Sequence, residues 1–95
     1  IRNTYDVRLR NKHGEPRPFT LSIKGGAAMQ IELEGVDGTT VEVPADSALL
    51  QRVYIVAPPE AASAVAAATP VRIWVEDQLS GERAHKDSSF NGRGN

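Results

Sequence analysis

His13, His85 and Met29 are the side chains here that a copper ion would select, because the 95 residues hold two histidines, one methionine and no cysteine. Copper(I) favours thiolates and thioethers, and a metal site needs ligands that converge, usually with two of them close together on one element. These three are scattered along the chain. Met29 also falls in phase with Ile31 and Leu33, the position of a flexible core filler. His13 lies among turn formers and His85 at a polar position of a weakly patterned segment. The sequence therefore predicts no metal site and no cofactor, and the missing cysteines exclude a disulfide or an iron–sulfur cluster within these residues.

Nucleophiles and acids give no stronger signal. Ser22, Ser47 and Ser88 lack the G-x-S-x-G context of an activated serine. Glu32, Glu34 and Glu42 occupy outward positions of alternating segments, where carboxylates are solvated and not perturbed as catalysis requires. Gly25-Gly26 is followed neither by a Lys-Ser pair nor by a helical pattern, so it is not a phosphate loop. No catalytic residue is assigned, no small-molecule substrate is identified, and this stretch is expected not to be an enzyme.

Residues suited to a partner are easier to find. Trp74 is out of phase with Val71, Ile73 and Val75, so it faces outward with Arg72 and Glu76. Trp and Arg dominate interface hot spots, although the same position also suits a tryptophan that covers the sheet beneath an arginine. Arg8 and Arg10 alternate with Val7 and Leu9 and face outward too, with Arg2, Lys12 and Arg17 nearby. Arg8, Arg10, Arg72 and Trp74 are the candidate partner-binding residues. Charge is segregated: residues 1–18 balance at +3, while residues 29–60 balance at -5. The whole chain carries a net charge of -1, which lacks the basic field that nucleic acid requires.

The elements that must position these groups are strands. Tyr5, Val7 and Leu9 alternate with Asp6, Arg8 and Arg10, and the run Asn11 to Pro16 breaks the segment. Further alternating runs place Phe19, Leu21 and Ile23, then Ile31 and Leu33, then Val41 and Val43 on one face. Val53 and Ile55, and later Val71, Ile73 and Val75, do the same. A weak seventh run extends from Glu82 to Phe90. The alanine-rich stretch 60–68 reads as a long cross-connection with a helical turn or two. Seven short strands separated by turn signals predict an all-β, antiparallel two-sheet sandwich of immunoglobulin or fibronectin type III kind, with a barrel as second choice. These inward residues form the expected core of a single domain over 1–95. Residues 1–90 are its body and 91–95 a flexible tail. Nothing approaches the ~20 consecutive apolar residues of a membrane span. The opening at Ile1 suggests a piece of a longer protein.

The two ends of the chain carry a resemblance. Ile1-Arg2-Asn3-Thr4-Tyr5-Asp6-Val7-Arg8-Leu9-Arg10-Asn11-Lys12 resembles the pattern I-x-N-x-Y-x-[LV]-[KR]-[ILV]-x-N-K that opens the C-terminal domain of the FixG/CcoG family, the cytochrome c oxidase accessory proteins. Phe19 to Gly25 looks like that family's second strand, Val41 to Ala45 its fourth, and Ser88-Ser89-Phe90-Asn91-Gly92 its closing S-x-F-x-G. The chain departs from the pattern at Gly26, Asp46 and Arg93, where the family usually has Leu, Gly and Pro. The resemblance implies a parent that is a polytopic inner-membrane protein with iron–sulfur clusters in another part, associated with copper reduction and cbb(3)-type oxidase assembly. It implies that these residues are its immunoglobulin-like C-terminal domain on the periplasmic side. The expected partner is the membrane portion of its own chain or a periplasmic protein. A copper-handling domain using His and Met ligands, and a plain structural spacer, are the alternatives.

Overall fold

The computed structural model describes residues 1–24 and 28–94. The alternating runs become β1 (Arg2–Asn11), β2 (Arg17–Lys24), β3 (Gln30–Leu33), β4 (Thr40–Val43), β5 (Ser47–Val56), β6 (Thr69–Asp77) and β7 (Arg83–Phe90). One helical turn, α1 (Ala62–Val65), interrupts the crossover from β5 to β6. Two antiparallel sheets result, a three-stranded one ordered β1-β5-β3 and a four-stranded one ordered β4-β2-β6-β7. This is the sandwich and not the barrel. Every connection except the β6–β7 hairpin changes sheet, so consecutive strands cover one another's apolar faces.

The core lies between the sheets. Val7, Leu9, Phe19, Leu21, Leu33, Val41, Val43, Val53, Ile55, Val71 and Ile73 are buried there, as the alternation predicts. Fully burying one such side chain contributes roughly 1.5–3 kcal/mol. Tyr5, Ile23, Ile31 and Val75, also expected inside, are half-buried at the margin, and Met29 packs there as a filler. Phe90 is fully buried, although of the other inward positions of β7 Ser88 is only half-buried and Ala84 and Lys86 are exposed. The four-stranded sheet is one strand wider than its cover, which leaves most of β7 overhanging.

Residues 91–94, expected as a trailing tail, run as a strap along α1. The Arg93 N–H donates to the Ala64 carbonyl (2.7 Å) and the Gly94 N–H to the Val65 carbonyl (3.0 Å), satisfying helix-end acceptors that otherwise lack partners. A Cβ on Gly92 would collide with the carbonyl oxygens of Ser63, Ala64 and Ala66. Asp46, where the resembled pattern has glycine, adopts a φ of 50°, a conformation that glycine takes without strain and Asp tolerates. The expected turn at Gly25-Gly26 and the terminal Asn95 lie outside the described residues.

Candidate docking surface

β1 and β7 are edge strands of different sheets and lie side by side, so one flank of the sandwich is an open seam. Asn3 closes its first end, donating from Nδ2 to the Asn91 carbonyl and accepting the Asn91 N–H, both at 2.9 Å. The Tyr5 hydroxyl donates to the Ser89 carbonyl (2.8 Å) and Lys86 Nζ to the Asp6 carbonyl (3.4 Å). Beyond Val7 the seam opens into a cleft of about 450 Å³. Leu9, Phe19, Val75 and Ala84 give it apolar walls, and Arg8, Arg10, Lys12, Arg83 and Glu82 provide charge.

Behind the cleft, Asp77 ends β6 with its side chain almost fully buried. It accepts from the N–H groups of Leu79 (2.9 Å) and Ser80 (3.3 Å) and from the Arg17 guanidinium (3.0 Å), while His13 Nε2 stands 3.8 Å away. Burial opposes the charged form, but those two N–H groups, the Ser80 hydroxyl and Arg17 outweigh it and hold the carboxyl below its ordinary value. Arg17 also meets Glu15 at 3.1 Å, so it is an internal counter-ion and does not join the outward basic surface expected of it. Asn11, fully enclosed, braces the same end by donating to the carbonyls of Glu15, Val43 and Pro44 and accepting the His13 N–H.

Most arginines are likewise engaged. Arg2 stacks on Tyr54 (4.4 Å), Arg52 meets Asp6 (3.4 Å), Arg72 meets Asp87 (2.7 Å), Arg83 meets Glu76 (3.4 Å) and Arg93 donates to the Pro59 carbonyl (2.8 Å). Arg8 and Arg10 are the exceptions: among the described residues neither side chain, nor that of Lys12, has a hydrogen-bonding or ionic partner. Beside them Leu50, directly opposite Arg8 in the β1–β5 register, is 64% exposed. Glu32 and Glu34 lie on or beside β3, at the far edge of the same sheet, whereas Asp46 stands beside Arg8, Arg10 and Lys12, so the charge segregation of the sequence is only partly a spatial one.

The four candidate residues form two groups. Arg8 and Arg10 belong to β1, whereas Arg72 and Trp74 lie on the outer face of the four-stranded sheet. Trp74 is half-buried and lines a surface pocket with Arg72 and Asp87; its ring centre is 4.8 Å from that of His85, 4.4 Å from the Arg83 guanidinium and 5.7 Å from that of Arg72. Sequence reasoning had no means of finding Arg83, which the hairpin brings alongside. His13 lines the cleft, His85 lies against Trp74 with the rings tilted by 58°, and Met29 packs at the core margin. Among the described residues no group of three or more His, Cys, Asp or Glu side chains is arranged to hold a metal.

Residues 1–93 match the family model described as "IG-like fold at C-terminal of FixG, putative oxidoreductase". The chain is 52% identical over its full length to protein RdxB of Cereibacter sphaeroides, covering 20% of that protein. It is 42% identical over 77 residues to protein RdxA of the same organism, covering 81% of this chain and 16% of that one. It thus spans about a fifth of these relatives. The crystal structure of a FixG-related protein from Vibrio parahaemolyticus superposes with a TM-score of 0.83 at 19% identity, covering 98% of this chain and 80% of the other, which shows a shared fold.

Proposed function

Because the chain belongs to the family of immunoglobulin-like domains found at the C-terminus of FixG, we propose that it is the non-catalytic docking module of a membrane-bound iron–sulfur protein that works in copper reduction and cbb(3)-type cytochrome oxidase assembly. In this reading it stands on the periplasmic side of the bacterial inner membrane, carries no cofactor of its own and holds the parent against a periplasmic protein or against its own membrane portion. No helix of the described residues is long and apolar enough to cross a membrane.

The observation that carries this reading is selective pairing. Among the described residues every arginine except Arg8 and Arg10 is held by an internal acceptor or an aromatic ring, and these two flank an exposed leucine beside an open cleft. Charges left without internal partners cost nothing to release from the fold and are free to meet an acidic surface. Basic residues near an anionic surface contribute about 1 kcal/mol each, an effect that salt screens.

Replacing Arg8 and Arg10 by glutamine in the full-length parent tests the proposal. Co-purification with oxidase-assembly partners should fall, and the wild-type association should fade with added salt. Association unchanged at low salt would reject this surface and favour a plain spacer.

A further inference from the structure

Ile1 and Ala57 exchange both backbone hydrogen bonds, each 2.8 Å long. Along an antiparallel ladder such pairs alternate with pairs whose N–H and C=O groups point away from one another. The unbroken β1–β5 register therefore turns the backbone of Asn3, Tyr5, Val7, Leu9 and Asn11 toward β5. Arg2, Thr4, Asp6, Arg8 and Arg10 present theirs at the outer edge. The Lys86 ammonium on the Asp6 carbonyl is in this phase. Across the seam, the Asp77 N–H bonds the Glu82 carbonyl (2.9 Å), so by the β6–β7 register Arg83, His85, Asp87 and Ser89 direct their backbone groups outward. The Ser89 carbonyl meeting Tyr5 agrees.

Two strand edges thus face each other. Side chains bridge them as far as Asp6, and from Arg8 onward no hydrogen bond between described residues crosses the gap. Edge strands of this kind are templates for pairing with another chain. Arginines on the edge repel a second copy of the same strand and leave an acidic segment as the complement.

We propose that the cleft accepts an extended segment of a partner protein, acidic at alternate positions and apolar between them, which adds as a strand to the outer edge of β1 at Arg8 and Arg10. The proposal rests on the docking reading and specifies its partner chemistry. Backbone pairing supplies affinity in strand addition, and pockets for alternate side chains supply selectivity. Here Arg8 and Arg10 offer two donors and two acceptors, Leu9, Phe19, Val75 and Ala84 receive apolar side chains, and Arg8, Arg10 and Lys12 meet the carboxylates. Within the cleft Glu82 is the carboxylate left to oppose them, since Asp77 is already satisfied by Arg17 and two N–H groups; Asp46 stands near the same cations outside it.

The test titrates the domain with a short peptide of alternating Glu and Val at low salt and follows amide exchange at Arg8 and Arg10. Binding should protect both amides. N-methylation of one alternate set of peptide amides should weaken binding about tenfold or more, roughly 1.4 kcal/mol, while methylation of the other set should not. Arg8→Glu with Arg10→Glu should weaken it comparably. Arg10→Pro removes an outward N–H without touching the β1–β5 ladder, and the methylated peptides serve the same purpose should that variant fail to fold. Binding that ignores methylation and leaves both amides unprotected would overturn strand addition while sparing docking by charge. Absence of peptide binding, with co-purification of the parent still dependent on Arg8 and Arg10, would also overturn the cleft proposal alone. Equal binding of a Lys–Val peptide would overturn the acidic preference.

Discussion

Gly92 has three carbonyl oxygens where its Cβ would be, so Gly92→Ala must push the strap off α1. Overpacking of this kind costs about 1–3 kcal/mol, to be read as a lower urea midpoint with an unchanged slope. Asp77 contributes to acid sensitivity. Its carboxyl is held below the ordinary value by Leu79, Ser80 and Arg17 against the pull of burial. A depressed carboxylate stabilises fully above its unfolded value, near 3.9, and the contribution is lost as pH falls through the lower folded value. Asp87, lowered chiefly by its hydrogen bond from Arg72, acts in the same direction. Unfolding free energy should therefore fall on acidification below about pH 4. Asp77→Asn should be less stable at neutral pH and show a smaller acid decrement; an identical pH profile in the variant would exclude Asp77 as the source.

At the scale of elements, the seam is held by side chains because its two strands belong to different sheets and share no ladder. Tyr5→Phe and Asn3→Ala should each cost about 1 kcal/mol. Asn3→Ala should also speed exchange of the Asn91 amide, whose acceptor it removes. These two residues, with Asn11, are fixed letters of the opening pattern, and the structure gives each a bracing task. Trp74 lies on the outer face of its sheet between Arg72 and Arg83, where sheet cover and partner binding make opposite predictions. Trp74→Ala is expected to lose about 1 kcal/mol of stability with its cation–π contacts and to leave association with the proposed docking partner unchanged; the reverse result would make it a docking residue.

For the whole molecule, docking and stability should separate. Arg8→Gln with Arg10→Gln touches no internal contact, so unfolding free energy should stay within about 0.5 kcal/mol of wild type. Co-purification of the full-length parent, by contrast, should drop. A variant that lost both together would show these arginines to be structural.

The period-2 alternation by itself determined the strands and the face each of their side chains takes, because the direction of a side chain follows from the local pleat of its own strand; that the strands close as two sheets and not as a barrel was decided by their pairing. The outward position of Arg8, Arg10, Arg72 and Trp74 was legible for the same reason. Which of those outward charges remain unpaired was decided only by the tertiary structure. Arg17 is neutralised by Asp77 and Arg52 by Asp6, partners dozens of residues away that only the strand order brings within reach. Phe90 is buried at the end of an exposed strand, and the strap of residues 91–94 packs on a helix formed some 30 residues earlier, for the same reason. The cleft arises from the mismatch of three strands over four, a property of the assembled sheets that no local pattern encodes.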